Sequence, residues 1–295
     1  MIGSWETGVH GDVPSIGRAL NRTDPPGRIM FIGDTHLDSA YCDRVALKRA
    51  LDQALEQDAP IVLLGDQFDL MQVKGDRRAS KAALLERYHG RDDYLNAVLE
   101  DVSEFLAPYA GHIWVMLQGN HDADATKYHE VDLVRLLALD LNRRGGDISV
   151  PGYQSHVALK MRSSTSAGAD LIYGFVTHGS GGSSPVTGGI IGSSRRAMWV
   201  PHADFVVSGH LHRDWTYGIT QLRVSQAGRV YRHKVRHAQT GAWKLESVSA
   251  ASWANQKGMA PASVGPAYWL EVRMRSGTGH PGPSKWAIKF VEVDQ

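Results

Sequence analysis

The chain has 295 residues, 42% of them hydrophobic and 21% charged, which suits an ordinary globular protein built as one large α/β domain or two small ones. Its net charge of +1 argues against a protein that coats nucleic acid, and its single cysteine, Cys42, excludes an internal disulfide. No run of about 18 apolar residues and no apolar stretch behind a basic start occurs, so a cytoplasmic protein with no membrane attachment is expected.

Residues 1–27 are rich in Gly, Pro and polar residues and read as an arm, with the domain proper expected over 28–295. From Arg28 onwards short apolar runs each end in glycine: "RIMFIG", "PIVLLG", "HIWVMLQG" and, later, "DFVVSG". Amphipathic helices are expected at about 43–57, 92–107 and 130–142, a βαβ alternation that implies buried, mostly parallel strands. "LIYGFVTHG" is a further apolar run, and the Gly/Ser-rich stretch 179–194 after it is expected to be a surface loop rather than a linker. Beyond about 213 the runs "RDWTYG", "QLRVSQ", "RVYRHKVRH", "YWLEVRMR" and "WAIKFVEV" nearly alternate, which predicts antiparallel strands.

The apolar runs stop in the same kind of residue. The first ends in "GDTH" (Asp34, His36), the second in "GDQFD" (Asp66, Asp69) and the third in "GNHD" (Asn120, His121, Asp122). His178 closes "LIYGFVTHG", and "VVSGHLH" supplies His210 and His212. Taken singly, a Gly-Asp after a strand is usually a turn and a strand-end histidine usually a hydrogen-bonded residue. Together, several carboxylates and four or more imidazoles at the carboxyl ends of strands would repel and desolvate one another unless cations neutralise them. Alternation along an extended chain would let Asp34 and His36, and likewise His210 and His212, point to one side.

The ordered set D-x-H, GD-x-x-D, GNH-D, H, GH-x-H over residues 28–212 resembles the calcineurin-like metallophosphoesterase superfamily. The resemblance implies a four-layer α/β/β/α sandwich of two mixed β-sheets flanked by helices, carrying two divalent metal ions. It implies that Asp34, His36 and His212 hold the first ion and Asn120, His178 and His210 the second, with Asp66 between them. It also implies that Asp69 orients His121; Asp122 is the competing candidate. Imidazole and oxygen ligands without thiolate suit Mn²⁺ first, with Fe, Zn²⁺ or Ni²⁺ as alternatives. "RHAQTGAW" and "GPAYWLEV" are similar to segments of phage-encoded and bacterial members.

A pair of cations lowers the pKa of a shared water and stabilises in-line displacement at phosphorus, so attack by metal-bound hydroxide with His121 as general acid is the expected reaction. The expected activity is phosphodiester hydrolysis, on nucleic acid or nucleotides, with phosphomonoester hydrolysis as the alternative and a non-catalytic metal-binding scaffold as the remote one. The expected partner is therefore an anionic phosphoester. Between Ile148 and Leu245 there are 11 Lys/Arg against three acids, a balance of +8 that leaves −7 for the rest of the chain. The acid-free stretch 171–203 with Arg195 and Arg196, the aromatic-cation run 229–244 and "KGDRRASK" (Lys74 to Lys81) are the candidate anion-binding walls.

Overall fold

A computed structural model of the chain describes residues 1–2, 4–70, 84–163, 168–182, 184, 186–225, 227–245, 263, 265–275 and 285–294. The run Lys74 to Lys81 lies outside them. β1 (Glu6–His10) and β2 (Val13–Ala19) come first, then β3 (Gly27–Ile32), α1 (Arg44–Glu56), β4 (Ile61–Leu63), α2 (Tyr94–Leu106) and β5 (Ile113–Leu117). Next are α3 (Asn120–His129), α4 (Leu133–Arg143), β6 (Ser149–Gly152), β7 (Gln154–Arg162) and β8 (Ala169–Thr177). α5 (Ile190–Trp199), β9 (Phe205–Ser208), β10 (Trp215–Val224), β11 (Val230–Gln239), β12 (Tyr268–Met274) and β13 (Trp286–Glu292) complete the order.

Two mixed sheets pack face to face, a six-stranded one of order β13-β12-β3-β4-β5-β6 and a seven-stranded one of order β1-β2-β7-β8-β9-β11-β10. Their inner faces share one apolar layer, in which Ile29, Phe31, Val62 and Leu64 meet Leu159, Val176, Phe205 and Val207. The outer face of the six-stranded sheet carries Met30, Ile32, Leu63 and Met116 beneath helices α1, α2 and α4. The other outer face carries Phe175, Val206 and Val235, packed with Val200 and Ala203 just after α5. This is the expected helix, sheet, sheet, helix layering.

Local chemistry starts the covering helices. Asp43 caps α1 by accepting from the Ala46 N–H at 2.9 Å, and Leu47, Ala50, Leu51 and Ala54 then recur at helical spacing on the buried side. Asp132 does the same for α4 through the Arg135 N–H at 3.0 Å, ahead of the buried Leu133, Val134, Leu137 and Leu141. Each fully buried leucine of this layer contributes about 1.5–3 kcal/mol by leaving water.

Several expectations need revision. Residues 1–27 do not form an arm: β1 and β2 pair antiparallel, β2 pairs parallel with β7, and Ile2, Trp5 and Ile16 are buried in the inter-sheet layer. The polar, Gly-containing sequence hid them because β1 is a mostly exposed edge strand and the buried run of β2, Pro14 to Gly17, holds only one large apolar residue, Ile16. α3 was not expected, since its polar sequence "NHDADATKYH" has little apolar periodicity. The loop expected at 179–194 gives way at Ile190 to α5. The parallel strands divide between the two sheets, β3, β4 and β5 in one and β8 and β9 in the other. The late strands pair antiparallel as expected in β10–β11 and β12–β13, but β11 also pairs parallel with β9.

Candidate metal centre

The carboxyl ends of β3, β4, β5, β8 and β9 meet along one edge of the sandwich, and the residues that follow them converge. His212 Nε2 lies 3.5 Å from Asp34 Oδ1 and 3.4 Å from His36 Nε2. His178 Nε2 lies 3.4 Å from Asp66 Oδ2, and the Asn120 side-chain oxygen sits 3.0 Å from His178 Nε2 and 2.8 Å from His210 Nδ1. His36 Nε2 is 3.9 Å from Asp66 Oδ2, which places that carboxylate between the two groups. Asp34, His36, Asp66 and His178 are completely or almost completely buried.

Convergence comes from the turns rather than from strand alternation. β3 ends at Ile32 and β9 at Ser208, and Asp34, His36, Asp66, His210 and His212 all have positive φ, between 44° and 78°. Among the described residues, five of the eight non-glycine positions with positive φ are therefore members of this cluster. Such conformations cost on the order of 1–3 kcal/mol each and persist where the surroundings over-determine them. Glycine makes room for the carboxylates. A Cβ on Gly119 would lie 2.0 Å from Asp66 Oδ1 and one on Gly209 would lie 2.7 Å from Asp34 Oδ2, so the "GN" and "GH" pairs each need their glycine.

The donor set fits divalent cations. Asp34 Oδ1 is buried and, among the described residues, faces only His212 Nε2 at 3.5 Å, and two pairs of imidazole nitrogens face each other at 3.3–3.4 Å, His178 with His210 and His36 with His212. Facing lone pairs repel unless a proton or a metal lies between them. Three sets of side chains could each surround one ion: Asp34, His36 and His212; His36, Asp66 and His121; Asp66, His178 and His210. The His178 ring is oriented by its Nδ1–H donating to the Leu64 carbonyl at 2.9 Å, which leaves Nε2 for the site.

The electrostatics also call for positive charge. Burial opposes a charged carboxylate at Asp66, yet His178 and His121 beside it hold it well below the usual carboxylate range. Burial likewise opposes a charged His178, but Asp66 outweighs it and lifts the ring to about 9. His36 behaves differently: burial pulls it down to about 4, so it presents a neutral imidazole.

Around this cluster the expected supporting roles shift. His121 Nδ1 lies 2.6 Å from the backbone carbonyl of Asp69, while the Asp69 carboxylate stays 3.6 Å away. That carboxylate is closer to His36 Nδ1, at 3.1 Å, and to Lys244 Nζ, at 2.9 Å. Asp122 accepts from the backbone N–H groups of Asp66, Phe68 and Gly119 at 2.9, 3.2 and 2.8 Å, so it ties two strand-end loops together. Two neighbours were not anticipated in these roles: Lys244 is buried behind Asp69, and Tyr153 stands edge-on to His178 at 5.3 Å. Arg196, expected as part of an anion-binding wall, reaches back to the Ser180 carbonyl at 3.5 Å. Gly181 in that same loop accepts from His210 Nε2 at 3.0 Å, so the Arg196 side of the acid-free stretch borders the cluster. Most of the aromatic-cation run does not: β11 meets the cluster side of the sheet at Gln239, beside Ser208, and Arg229 to Lys234 extend past the other end of β9.

Residues 27–214 match the calcineurin-like phosphoesterase family. Similar solved structures include a predicted phosphoesterase from Streptococcus pneumoniae TIGR4, at 11% identity and TM-score 0.35 over 92% of both chains. A double mutant of Vps29 from Entamoeba histolytica is similar at 12% identity and TM-score 0.26, over 64% of this chain and 88% of that one. No curated protein matches. With the family match spanning more than half of its length, and five strand-end motifs in the family's order, this chain belongs to the calcineurin-like phosphoesterases.

Proposed function

We propose that the chain is a dinuclear metal-dependent phosphodiesterase. Asp34, His36 and His212 would hold one ion and Asn120, His178 and His210 the other, with Asp66 shared. The observation that carries this reading is the pair of facing-nitrogen contacts on either side of Asp66, a geometry that only shared cations or protons stabilise. When bound, two divalent ions supply a lowered water pKa and charge neutralisation at the phosphoryl group.

The chain's own residues supply orientation and proton control. His121 Nδ1–H donates to the Asp69 carbonyl, which directs Nε2 towards the cluster, 4.0 Å from Asp66 Oδ2. A proton held at that Nε2 is placed for a departing alkoxide, the general-acid role. Its place in a ligand-like group with His36 and Asp66 is the competing assignment, and leaving-group dependence separates the two. Arg196, half-buried at the rim, offers one guanidinium to a substrate oxygen. One such cation suits the single charge of a diester better than the two of a monoester. Nucleotide and nucleic acid diesters are the substrates favoured within this class, because the acid-free stretch 171–203 borders the cluster. Turnover of bis-nitrophenyl phosphate with Mn²⁺ should exceed that of the mono-ester. Faster mono-ester hydrolysis would assign a phosphomonoesterase, and no turnover of either would leave only a metal-binding scaffold.

A further inference from the structure

The seven-stranded sheet has a notch at the end remote from the metal centre. β9 is only four residues long, whereas its neighbours β8 and β11 have nine and ten. Phe205, the first residue of β9, lies beside Gly174 and Arg236, so 169–173 of β8 and 230–235 of β11 run on past it. Asp204 closes the notch at that level, donating its N–H to Tyr173 at 2.7 Å and accepting at its backbone carbonyl from Arg236 at 3.0 Å. One missing strand leaves about 9–10 Å between the two that flank it.

The side chains bordering this notch are cationic and reach solvent, on a sheet face that is apolar farther along. Ala238 and the Phe205 and Val207 beside it face the apolar inter-sheet layer. Alternation then puts Arg236, Lys234 and Arg232 on that same inner face, pointing towards β13 where hydrophobic residues would be expected. With Arg275, Trp286 and Ile288 they line a cavity of about 350 Å³, within the range of small-molecule sites. Asp204 is the one acid among the described lining residues, and it is already engaged: its Oδ1 lies 3.0 Å from His233 Nε2 and 3.7 Å from Arg223 Nη1. Among the described residues, no carboxylate lies within ion-pair distance of Arg232, Lys234, Arg236 or Arg275. Four like charges around one cavity repel one another, and a multiply charged anion relieves that repulsion while giving arginine its preferred forked partner.

We propose that this cleft is a second ligand site, which binds a small oligophosphate. It lies at the opposite end of β9 from His210, six residues or roughly 20 Å of extended chain away, so it is separate from the metal centre. The cleft opens to solvent at Arg232, Lys234 and Arg275, and its volume of about 350 Å³ favours a compact ligand over a long strand.

Calorimetric titration of the full chain with inorganic triphosphate tests this, with the protein as purified and again in excess EDTA. One equivalent should bind per chain and persist in EDTA, and His210→Ala should leave it unchanged. Arg232→Glu with Lys234→Glu should weaken it about a hundredfold, roughly tenfold for each cation removed, while Mn²⁺-dependent diester turnover and thermal unfolding stay as in the parent. Arg232→Gln with Lys234→Gln should give a smaller loss in the same direction. Absence of binding in EDTA, or affinity unaffected by both double variants, overturns the proposal. So does binding of a single-stranded oligonucleotide that the double reversal abolishes when triphosphate does not bind.

Discussion

Replacing Lys244 by methionine removes a buried cation behind the candidate metal centre. Its Nζ lies 2.9 Å from Asp69 Oδ1, and the two side chains are 4% and 1% exposed. Methionine fills the space of the stem and removes the charge, so Asp69 is left buried with the His36 and His121 rings near its carboxylate and no permanent cation. The chain can escape by protonating that carboxylate. At pH 7, about three units above the ordinary aspartate pKa, this costs about 4 kcal/mol at 1.36 kcal/mol per unit. That agrees with the 3–5 kcal/mol typical of removing one partner from a buried pair. The sign with pH follows. Burial pushes Asp69 up, but Lys244 and His36 hold it far below the usual range, so its contribution is present above about pH 4 and lost on acidification. The parent should therefore exceed Lys244→Met by about 4 kcal/mol at pH 7 and by about 1.5 kcal/mol at pH 5, where protonation is cheaper. Urea unfolding at the two pH values reads this directly, and adding Asp69→Asn to Lys244→Met should recover part of the loss by removing the unpaired charge. A gap below about 1 kcal/mol at pH 7, or one that does not narrow at pH 5, would refute a buried ion pair at this position.

Four other outcomes are expected. Saturation with Mn²⁺ should give two ions per chain by elemental analysis, and His210→Ala should retain no more than one; a single ion in the parent would sink the dinuclear reading. His121→Gln should slow diesters with poor leaving groups far more than an activated nitrophenyl ester, and equal losses would move His121 to a ligand or structural role. Because the Asp69 backbone carbonyl is what holds the ring, Asp69→Asn should weaken metal retention through His36 more than it alters that leaving-group pattern. Because Asp66, working against burial, raises His178 to about 9 in the metal-free chain, Mn²⁺ binding should release about one proton per chain between pH 6.5 and 9. Calorimetry in buffers of different ionisation enthalpy measures it, and no proton release at pH 7 would contradict the charge assigned to that ring.

The cluster was legible in the sequence because each of its members follows a strongly apolar run, and the order of "GDTH", "GDQFD", "GNHD", "THG" and "GHLH" survives folding as a contiguous edge. The route was not. Asp34 with His36, and His210 with His212, meet through left-handed turns, and nothing in residue spacing alone distinguishes those from continued strand. Lys244 is legible as a cation of the run 229–244, but its burial is not, because that depends on Trp243 and Asp34 joining backbones across 209 positions of chain. Arg232, Lys234 and Arg236 were legible as cations, but their side of the sheet was not, because it depends on the register of β11 against β9, nor was the notch beside them, which depends on β9 being short. α3 was invisible to periodicity, being set by the turn at Gly119 rather than by an apolar stripe.

The pairing of β2 with β7 bears on where the chain can be cut. The family match begins at residue 27, and a fragment trimmed there would keep every residue of the metal centre. It would also strip β2 from β7 and leave Ala158–Arg162 as an open backbone edge, with Leu159 and Met161 on its inner side no longer covered by Ile16 and Trp5. Unpaired edges of that kind template intermolecular strand addition. The fragment should accordingly self-associate and be recovered from inclusion bodies or as high-order oligomers, however intact its chemistry, whereas the chain retaining Ile2 to Ala19 shields that edge with two strands of its own.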